Sequence, residues 1–163
     1  MTSYLARCPQ EQGHLSFAMR LLGDGGVDLL RDQDHRMRVT VGAVLADRYR
    51  RILHVTHPAS SGWVLPTGPP AAEDGTLHDA ALRVLTERGV SSADVLLDGT
   101  HPTYITALPA GAGATENGSI EFLYFFWAAS DVVAKSKGLE RLWRHATTLP
   151  EGNLRDHIIS RLK

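Results

Sequence analysis

Residues 122–129 form the most apolar run of the chain, and an extended segment there is apolar on both faces. Successive side chains of a strand point to opposite faces. The even-numbered aromatic residues then share one face and the odd-numbered apolar residues the other: Phe122, Tyr124 and Phe126 against Leu123, Phe125 and Trp127. A strand of this kind is typical of the centre of a sheet that is covered by two layers. We therefore predict a long central strand over 120–129.

The rest of the chain predicts strands around one central helix. Strands are predicted over 38–45, 52–57, 63–65, 95–97 and 103–108, and 139–145 fits a strand or a helix. Helices are predicted over 14–22 and 77–88 and from Asn153, a favourable N-cap, with a further helical turn over 27–31. The fold class is therefore α/β or α+β, a sandwich with a mixed sheet. Residues 1–35 form a helical extension, and residues 36–163 form the main domain.

Composition excludes several classes of protein. The 163 residues carry 17 Lys and Arg against 18 Asp and Glu, which argues against bulk capture of a nucleic-acid polymer or an anionic membrane. Cys8 is the only cysteine, so no internal disulfide or cysteine zinc cage forms. No run approaches the ~20 apolar residues of a membrane helix, and the first residues do not resemble a signal peptide. The expected location is the cytoplasm, and the oligomeric state is left open.

A recognisable motif lies in the middle of the chain. Residues 62–68, Gly-Trp-Val-Leu-Pro-Thr-Gly, precede a loop rich in proline and acidic residues and a helix that contains Arg83 and Glu87 and stops near Gly89. This segment resembles the Nudix family, in which Trp-x-Leu-Pro-Gly-Gly leads into G-x5-E-x7-R-E-U-x-E-E-x-G-U, where U is a bulky aliphatic residue. His57-Pro58, His101-Pro102 and the aromatic strand extend the resemblance over residues 38–163. It implies a Nudix-like α/β/α sandwich.

The resemblance also implies a chemistry, the cleavage of a nucleotide or another small molecule linked through a diphosphate. Such enzymes hold Mg²⁺ or Mn²⁺ with hard oxygen ligands. Glu87 stands at a metal-binding position of the motif, and Glu73 or Asp74 would assist if the loop folds back. Arg83 would orient the acids, and Gly68 belongs to the preserved frame of the substrate site.

The acidic pattern departs from the family. Val84 and Arg88 stand where the motif has glutamates, Thr67 replaces a glycine, and the loop before Arg83 is one residue longer. A cationic Arg88 beside a metal costs about 1 to 4 kcal/mol of binding, since like charges repel. Asp79, Arg83 and Glu87 share one helix face, which is either a remnant metal and phosphate site or a ladder of surface ion pairs worth roughly 0.2–0.5 kcal/mol each. Metal binding is weak or absent if the motif is inactive.

Histidines and aromatic residues supply further candidates for the site. His57, His78 and His101 can act as general acids or bases because imidazole titrates near neutral pH, although such histidines are more often hydrogen-bonded bystanders. Trp63 and Tyr104 can stack on a flat ligand, and residues 109–118 form a flexible connection or a lid.

Three functions follow from these residues. The first is a divergent Nudix hydrolase that acts on a nucleotide or another diphosphate-linked small molecule. The second is a non-hydrolytic Nudix-fold protein that binds a phosphorylated ligand or a partner. The third is a cleft reused for metal-independent acid/base chemistry by histidine.

Overall fold

A computed structural model describes residues 2–23, 37–57, 60–109, 118–129 and 141–163. The helices are α1 (Thr2–Arg7), α2 (Gln12–Gly23), α3 (Leu77–Glu87) and α4 (Asn153–Arg161). The strands are β1 (Met37–Ala46), β2 (Arg51–His57), β3 (Ser60–Val64), β4 (Thr67–Gly68), β5 (Val95–Leu97), β6 (Tyr104–Pro109), β7 (Gly118–Ala128) and β8 (Arg141–His145). The helical turn predicted over 27–31 and most of the 109–118 connection lie outside the described residues.

The sheet is built around β1 and β7, which run parallel. Their ladder extends from Met37 opposite Gly118 to Ala46 opposite Trp127. β5 and β6 are antiparallel to β7, and β4 is antiparallel to β1. The predicted mixed sheet with a long central strand is therefore confirmed.

β1 and β2 pair only at their hairpin end, where Ala46 lies opposite Ile52. The carboxylate of Asp47 closes this turn, because it accepts hydrogen bonds from the backbone N–H groups of Tyr49 and Arg51. Beyond the turn, residues 60–68 pair first with β2 through β3 and then with β1 through β4. The segment that begins with Trp63 therefore bridges β1 and β2.

Two apolar clusters occupy opposite faces of this sheet. The cluster beneath α3 contains the even-numbered aromatic residues of β7 together with Val41, Ala43 and Leu45. The other cluster contains Val44, Ala46 and Phe125 and packs against Ile158 and Leu162 of α4. The alternation predicted from the sequence of β7 therefore sorts its side chains onto the two faces.

The N-terminal helices pack on the sheet rather than standing apart from it. Tyr4, Leu15 and Ala18 are buried in the same cluster as Ile105 and Ile120. In α2, Leu15 and Ala18 are buried and Met19 is exposed, while the side chain of Leu22 lies outside the described residues.

The caps of α3 agree with the sequence. The Thr76 hydroxyl accepts a hydrogen bond from the Asp79 N–H at 3.1 Å, which satisfies one free donor of the first turn. At the other end Gly89 has φ of 74°, its N–H donates to Thr86, and the N–H of Val90 donates to Leu85. This is the Schellman arrangement, which places glycine in the left-handed conformation after a helix.

The structure corrects or settles several details of the prediction. Asn153 is the first residue inside α4, and the N-cap is Gly152, which has no side chain to accept a hydrogen bond. β4, which pairs with β1, is not among the predicted strands. Residues 141–145 are a strand because they pair with β2, from Arg51 opposite His145 to Val55 opposite Arg141. Among the described residues, no helix has the length and apolar character needed to cross a membrane.

Gly42, in the middle of β1, gives a test of this packing. A Cβ at Gly42 would lie 2.5 Å from Leu123 Cδ2 and 2.8 Å from Thr67 Cγ2, so both side chains must move. We expect Gly42→Ala to lower the free energy of unfolding by about 1–3 kcal/mol through overpacking, measured by urea denaturation. Gly62→Ala is the matched strand control, because nothing lies within 4 Å of its added Cβ. Equal stability of the two variants would contradict this packing.

Candidate functional site

The loop before α3 folds into a compact turn that presents Asp74. The N–H of Ala71 donates to Asp74 Oδ2 at 2.7 Å, and the N–H of Asp74 donates to the Ala71 carbonyl at 3.0 Å. The side chain of Asp74 is only 5% exposed. The loop thus folds back toward α3, as considered from the sequence, and it brings Asp74 there rather than Glu73, which stays exposed.

Arg83 binds this acid through two N–H groups of its guanidinium group. Arg83 Nε donates to Asp74 Oδ1 at 2.9 Å and Nη2 donates to Oδ2 at 3.0 Å, while Nη2 also donates to the Pro69 carbonyl at 2.8 Å. These charge-assisted bonds lower the pKa of Asp74 and raise that of Arg83. Arg83 therefore clamps the loop to the helix.

Glu87 pairs with the same arginine. Its Oε1 lies 2.5 Å from Arg83 Nη1, and its side chain is 56% exposed. Asp79, four residues before Arg83, accepts instead from the Thr76 hydroxyl at 2.8 Å and lies 3.9 Å from His78 Nδ1. Of the two ion pairs that a ladder on this helix face would contain, the structure forms only the one between Arg83 and Glu87.

These contacts do not fit a divalent metal ion. Both oxygens of Asp74 are engaged by N–H donors, and one oxygen of Glu87 is engaged by a cation. Val84, which stands where the motif has a glutamate, is buried in the core and has no side-chain oxygen to bind a metal. Within the described ranges, no three His, Cys, Asp or Glu side chains come together as metal ligands. Of the three acids predicted as ligands, Asp74 and Glu87 are partners of Arg83, and Glu73 is exposed.

The predicted histidines lie in different environments. His78 is buried, with ring centroids 5.5 Å from Tyr124 and 5.3 Å from Phe126, and its Nε2 has no hydrogen-bond partner among the described residues. His101 is exposed in the loop before β6. The backbone of His57 ends β2, and its side chain lies outside the described residues. Their predicted acid/base roles stay predictions.

A cavity of about 560 Å³ opens where residues 60–68 bridge β1 and β2. Its lining combines a tryptophan, apolar side chains and a few polar groups: Trp63, Val64, Leu65, Leu123, Leu149, Leu154, His54, Thr67, Glu121 and Arg144. This size and mixture are typical of small-molecule sites. We call it the Trp63 cavity.

Two titratable groups give the Trp63 cavity its chemistry: His54, which is buried, and Glu121, which is partly buried. Burial raises the pKa of Glu121, because the charged carboxylate loses hydration. Burial also lowers the pKa of His54, with a smaller contribution from Arg144. His54 Nδ1 lies 3.0 Å from the Ile52 carbonyl, which only accepts, so Nδ1 carries the proton and Nε2 is left as an acceptor.

Of the predicted substrate-binding residues, Trp63 lines this cavity. Gly68 lies under α3, where a Cβ would come within 3.1 Å of Val84 Cγ2. Tyr104 pairs with Leu123 across the β6–β7 ladder and lines a neighbouring cavity of about 220 Å³ with Glu11. The structure therefore does not bring Gly68 or Tyr104 into the Trp63 cavity.

Sequence reasoning missed His54, Glu121 and Arg144. Glu121 had a usable signal, since it is the one charged residue of a strand that is otherwise almost entirely apolar. His54 and Arg144 had none, because their place depends on the pairing of β2 with β8 across 85 or more intervening residues.

No protein-family model matches the sequence, and no curated protein matches it. Solved structures of similar fold include the NrtR protein of Shewanella oneidensis, with TM-score 0.52, 20% identity and coverage of 76% of this chain and 62% of that one. The MutT protein of Methanosarcina mazei Go1 has TM-score 0.52 and 18% identity over 79% and 94% of the two chains. The MutT Nudix hydrolase of Burkholderia pseudomallei has TM-score 0.51 and 19% identity over 78% and 98%.

These similarities establish the fold. The chain has a Nudix-like architecture of mixed sheet and flanking helices, as the residues of segment 62–90 predicted. It spans less than two thirds of the length of NrtR.

The clamp between Arg83 and Asp74 gives the first prediction for the site. Asp74→Asn removes a buried charge-assisted pair, so we expect the free energy of unfolding at pH 7 to fall by about 1.5–3 kcal/mol. Glu73→Gln, one residue away and exposed, is the matched control and leaves stability within ~0.5 kcal/mol. Urea denaturation measures both, and equal effects would contradict a structural role for Asp74.

The same variant has a defined pH dependence. The pKa of Asp74 is lowered in the folded state. The pair with Arg83 therefore stabilises the folded protein fully above the unfolded pKa of about 3.9. This stabilisation disappears as pH falls through the lowered pKa of the folded state. The stability difference between wild type and Asp74→Asn therefore shrinks on acidification, as measured by urea denaturation at a series of pH values. A difference that stays constant down to pH 2 would argue against the pair.

Proposed function

We propose that this Nudix-fold protein binds a phosphorylated small molecule with a flat ring, of the nucleotide class, in the Trp63 cavity, and that binding does not depend on a divalent metal. The observation that carries the proposal is the composition of this cavity, which is lined by a tryptophan, an arginine, the buried His54 and the partly buried Glu121. The resemblance of segment 62–90 to Nudix proteins supports the choice of ligand class.

The ring of such a ligand has matching groups in the cavity. Trp63 offers a flat apolar surface, and stacking of a base on an aromatic side chain contributes about 1–3 kcal/mol. A neutral Glu121 carboxyl offers one donor beside one acceptor, and His54 Nε2 adds an acceptor. These groups match the edge of a nucleobase, which carries hydrogen-bond donors and acceptors side by side.

The phosphate has a partner as well. Arg144 is exposed at the cavity and forms no ion pair with the described residues, so its guanidinium can bind a phosphate through two N–H groups. The contacts of the acids on α3 and its loop support metal independence, since Asp74 and Glu87 both already pair with Arg83.

A second candidate is hydrolysis of a nucleotide or another diphosphate-linked small molecule, with Mg²⁺ or Mn²⁺ supplied from solution. Glu87 favours this candidate, because it stands at a metal-binding position of the motif and more than half of its side chain is exposed. The metal ion would compete with Arg83 for the carboxylate of Glu87, so we expect the metal to bind weakly.

Calorimetric titration of adenosine and AMP in the presence of EDTA tests the main proposal. Trp63→Ala should weaken both ligands about tenfold or more through lost stacking. Arg144→Gln should weaken AMP and leave adenosine unchanged. Tyr49→Ala, an exposed aromatic at the β1–β2 turn, is the matched control. Absence of binding across adenine and guanine nucleotides, or binding that requires Mg²⁺, would overturn the proposal.

Glu121 gives the binding a pH dependence. Its neutral form is the donor, and its pKa is raised, so affinity for adenosine should be highest at low pH and fall as pH rises through that pKa. Glu121→Gln, which stays neutral, should bind without this dependence. Adenosine is the probe because it carries no phosphate that titrates in the same range. An unchanged pH profile in the variant would remove Glu121 from the site.

Phosphate release separates the two candidates. A panel of nucleoside diphosphates and dinucleoside polyphosphates is incubated with Mg²⁺ or Mn²⁺ and assayed for product. Turnover that Glu87→Gln abolishes and Glu73→Gln preserves would establish the hydrolase. Adenosine binding without any turnover would instead support the non-hydrolytic protein.

A further inference from the structure

A second cavity, of about 430 Å³, lies between the N-terminal segment and α4. Its walls include Arg7 and Cys8 on one side and Asp156, Ser160 and Arg161 on the other. It shares no lining residue with the Trp63 cavity, which α4 borders through Leu154. We call it the Cys8 cavity, and the proposed function makes no use of it.

A buried polar network holds the walls of the Cys8 cavity together. Tyr4 Oη donates to Glu11 Oε2 at 2.5 Å and accepts from the N–H of Ile105 at 3.3 Å. His157 Nε2 of α4 lies 2.7 Å from Glu11 Oε1, a close contact whose geometry is not that of a hydrogen bond. Since a buried carboxylate is costly without partners, Glu11 ties α1, α4 and β6 to one another.

Thr103 lines this cavity and carries a hydroxyl group that lacks a hydrogen-bond partner among the described residues. The residue is only 7% exposed, and its Oγ1 is buried with no hydrogen-bond partner among the described residues. Its backbone N–H donates to the Leu123 carbonyl at 2.7 Å, which fixes the residue beside β7. Because buried polar groups are rarely left without a partner, this hydroxyl points to a bound molecule.

Two arginines supply the cationic groups that line this cavity. Arg161 Nη1 donates to Asp98 Oδ2 at 2.7 Å, and its other N–H groups make no hydrogen bond to the described residues. Arg7 Nη2 donates to the Pro102 carbonyl at 3.2 Å, which holds that side chain across the opening. Asp156 and Ser160 add acceptors that suit hydroxyl groups of a ligand.

We propose that the Cys8 cavity is a second ligand site, which takes a small anion that also carries hydroxyl groups. The anionic group binds Arg161 and Arg7, and the hydroxyls bind Thr103, Ser160 and Asp156. Sugar phosphates and polyhydroxy carboxylates share this chemistry. The volume of about 430 Å³ accommodates a molecule of that size.

The single cysteine makes a site-specific test possible in the unmodified protein. Cys8 lines the cavity and is partly exposed, so a bound ligand should slow its alkylation by iodoacetamide, an uncharged reagent. Ribose 5-phosphate and gluconate are the two anionic probes, and ribose is the uncharged control. Protection by either anion but not by ribose supports the site and says whether phosphate or carboxylate is preferred. No protection by any probe, or equal protection by ribose, would overturn it.

Variants assign the protection to the named residues. Thr103→Val keeps the shape and removes the unused hydroxyl, so the protein should stay folded while the concentration for half protection rises about five- to tenfold. Arg161→Gln should raise it at least as much. Thr100→Val, an exposed threonine, and Arg155→Gln, on α4 outside the cavity, are the matched controls. Protection unchanged by Thr103→Val and Arg161→Gln would refute the assignment.

The two cavities are tested independently. Trp63→Ala should leave the protection of Cys8 unchanged, and adenosine should not protect Cys8. Failure of nucleotide binding therefore leaves this proposal intact, whereas loss of Cys8 protection in Trp63→Ala would contradict it.

Discussion

The parallel ladder between β1 and β7 is the constraint on which the other elements depend. It joins Met37–Ala46 to residues 118–127 along almost their whole length. Both strands are apolar on both faces, so the sheet must be covered on each side. α3 covers one face and α4 the other, and the Trp63 cavity lies on the α4 side beside Leu123. Gly42 permits the close approach of Leu123 and Thr67 at the edge of that cavity.

The guanidinium group of Arg83 organises the second part of the molecule. It binds both oxygens of Asp74, the Pro69 carbonyl and Glu87. A positive charge placed among these carboxylates competes with a metal ion for their oxygens, since the guanidinium and the metal cation repel each other. The residues that resemble a catalytic motif thus stabilise the loop before α3.

Much of the frame follows from local pattern. The alternation in β7, the Thr76 cap, Gly89 after α3 and the strand over 38–45 were all predictable because they depend on neighbours in sequence. β4, β8 and the first residue of α4 were not. β4 is two residues long and exists only through its pairing with β1, and β8 is a strand because β2 lies beside it. Such pairing is a property of distant segments.

The sequence by itself determined the two-sided central strand, the capped helix that carries Arg83 and Glu87, and the Nudix-like frame around them. Only the tertiary structure decided how the acids are used. The fold of the loop gives Asp74 to Arg83, and the pairing of β2 with β8 brings His54 and Arg144 to the cavity of Trp63 and Glu121. The physical reason is that a side chain's charge and hydrogen bonding depend on what lies within a few ångströms in space, and these partners come from segments far apart in the chain.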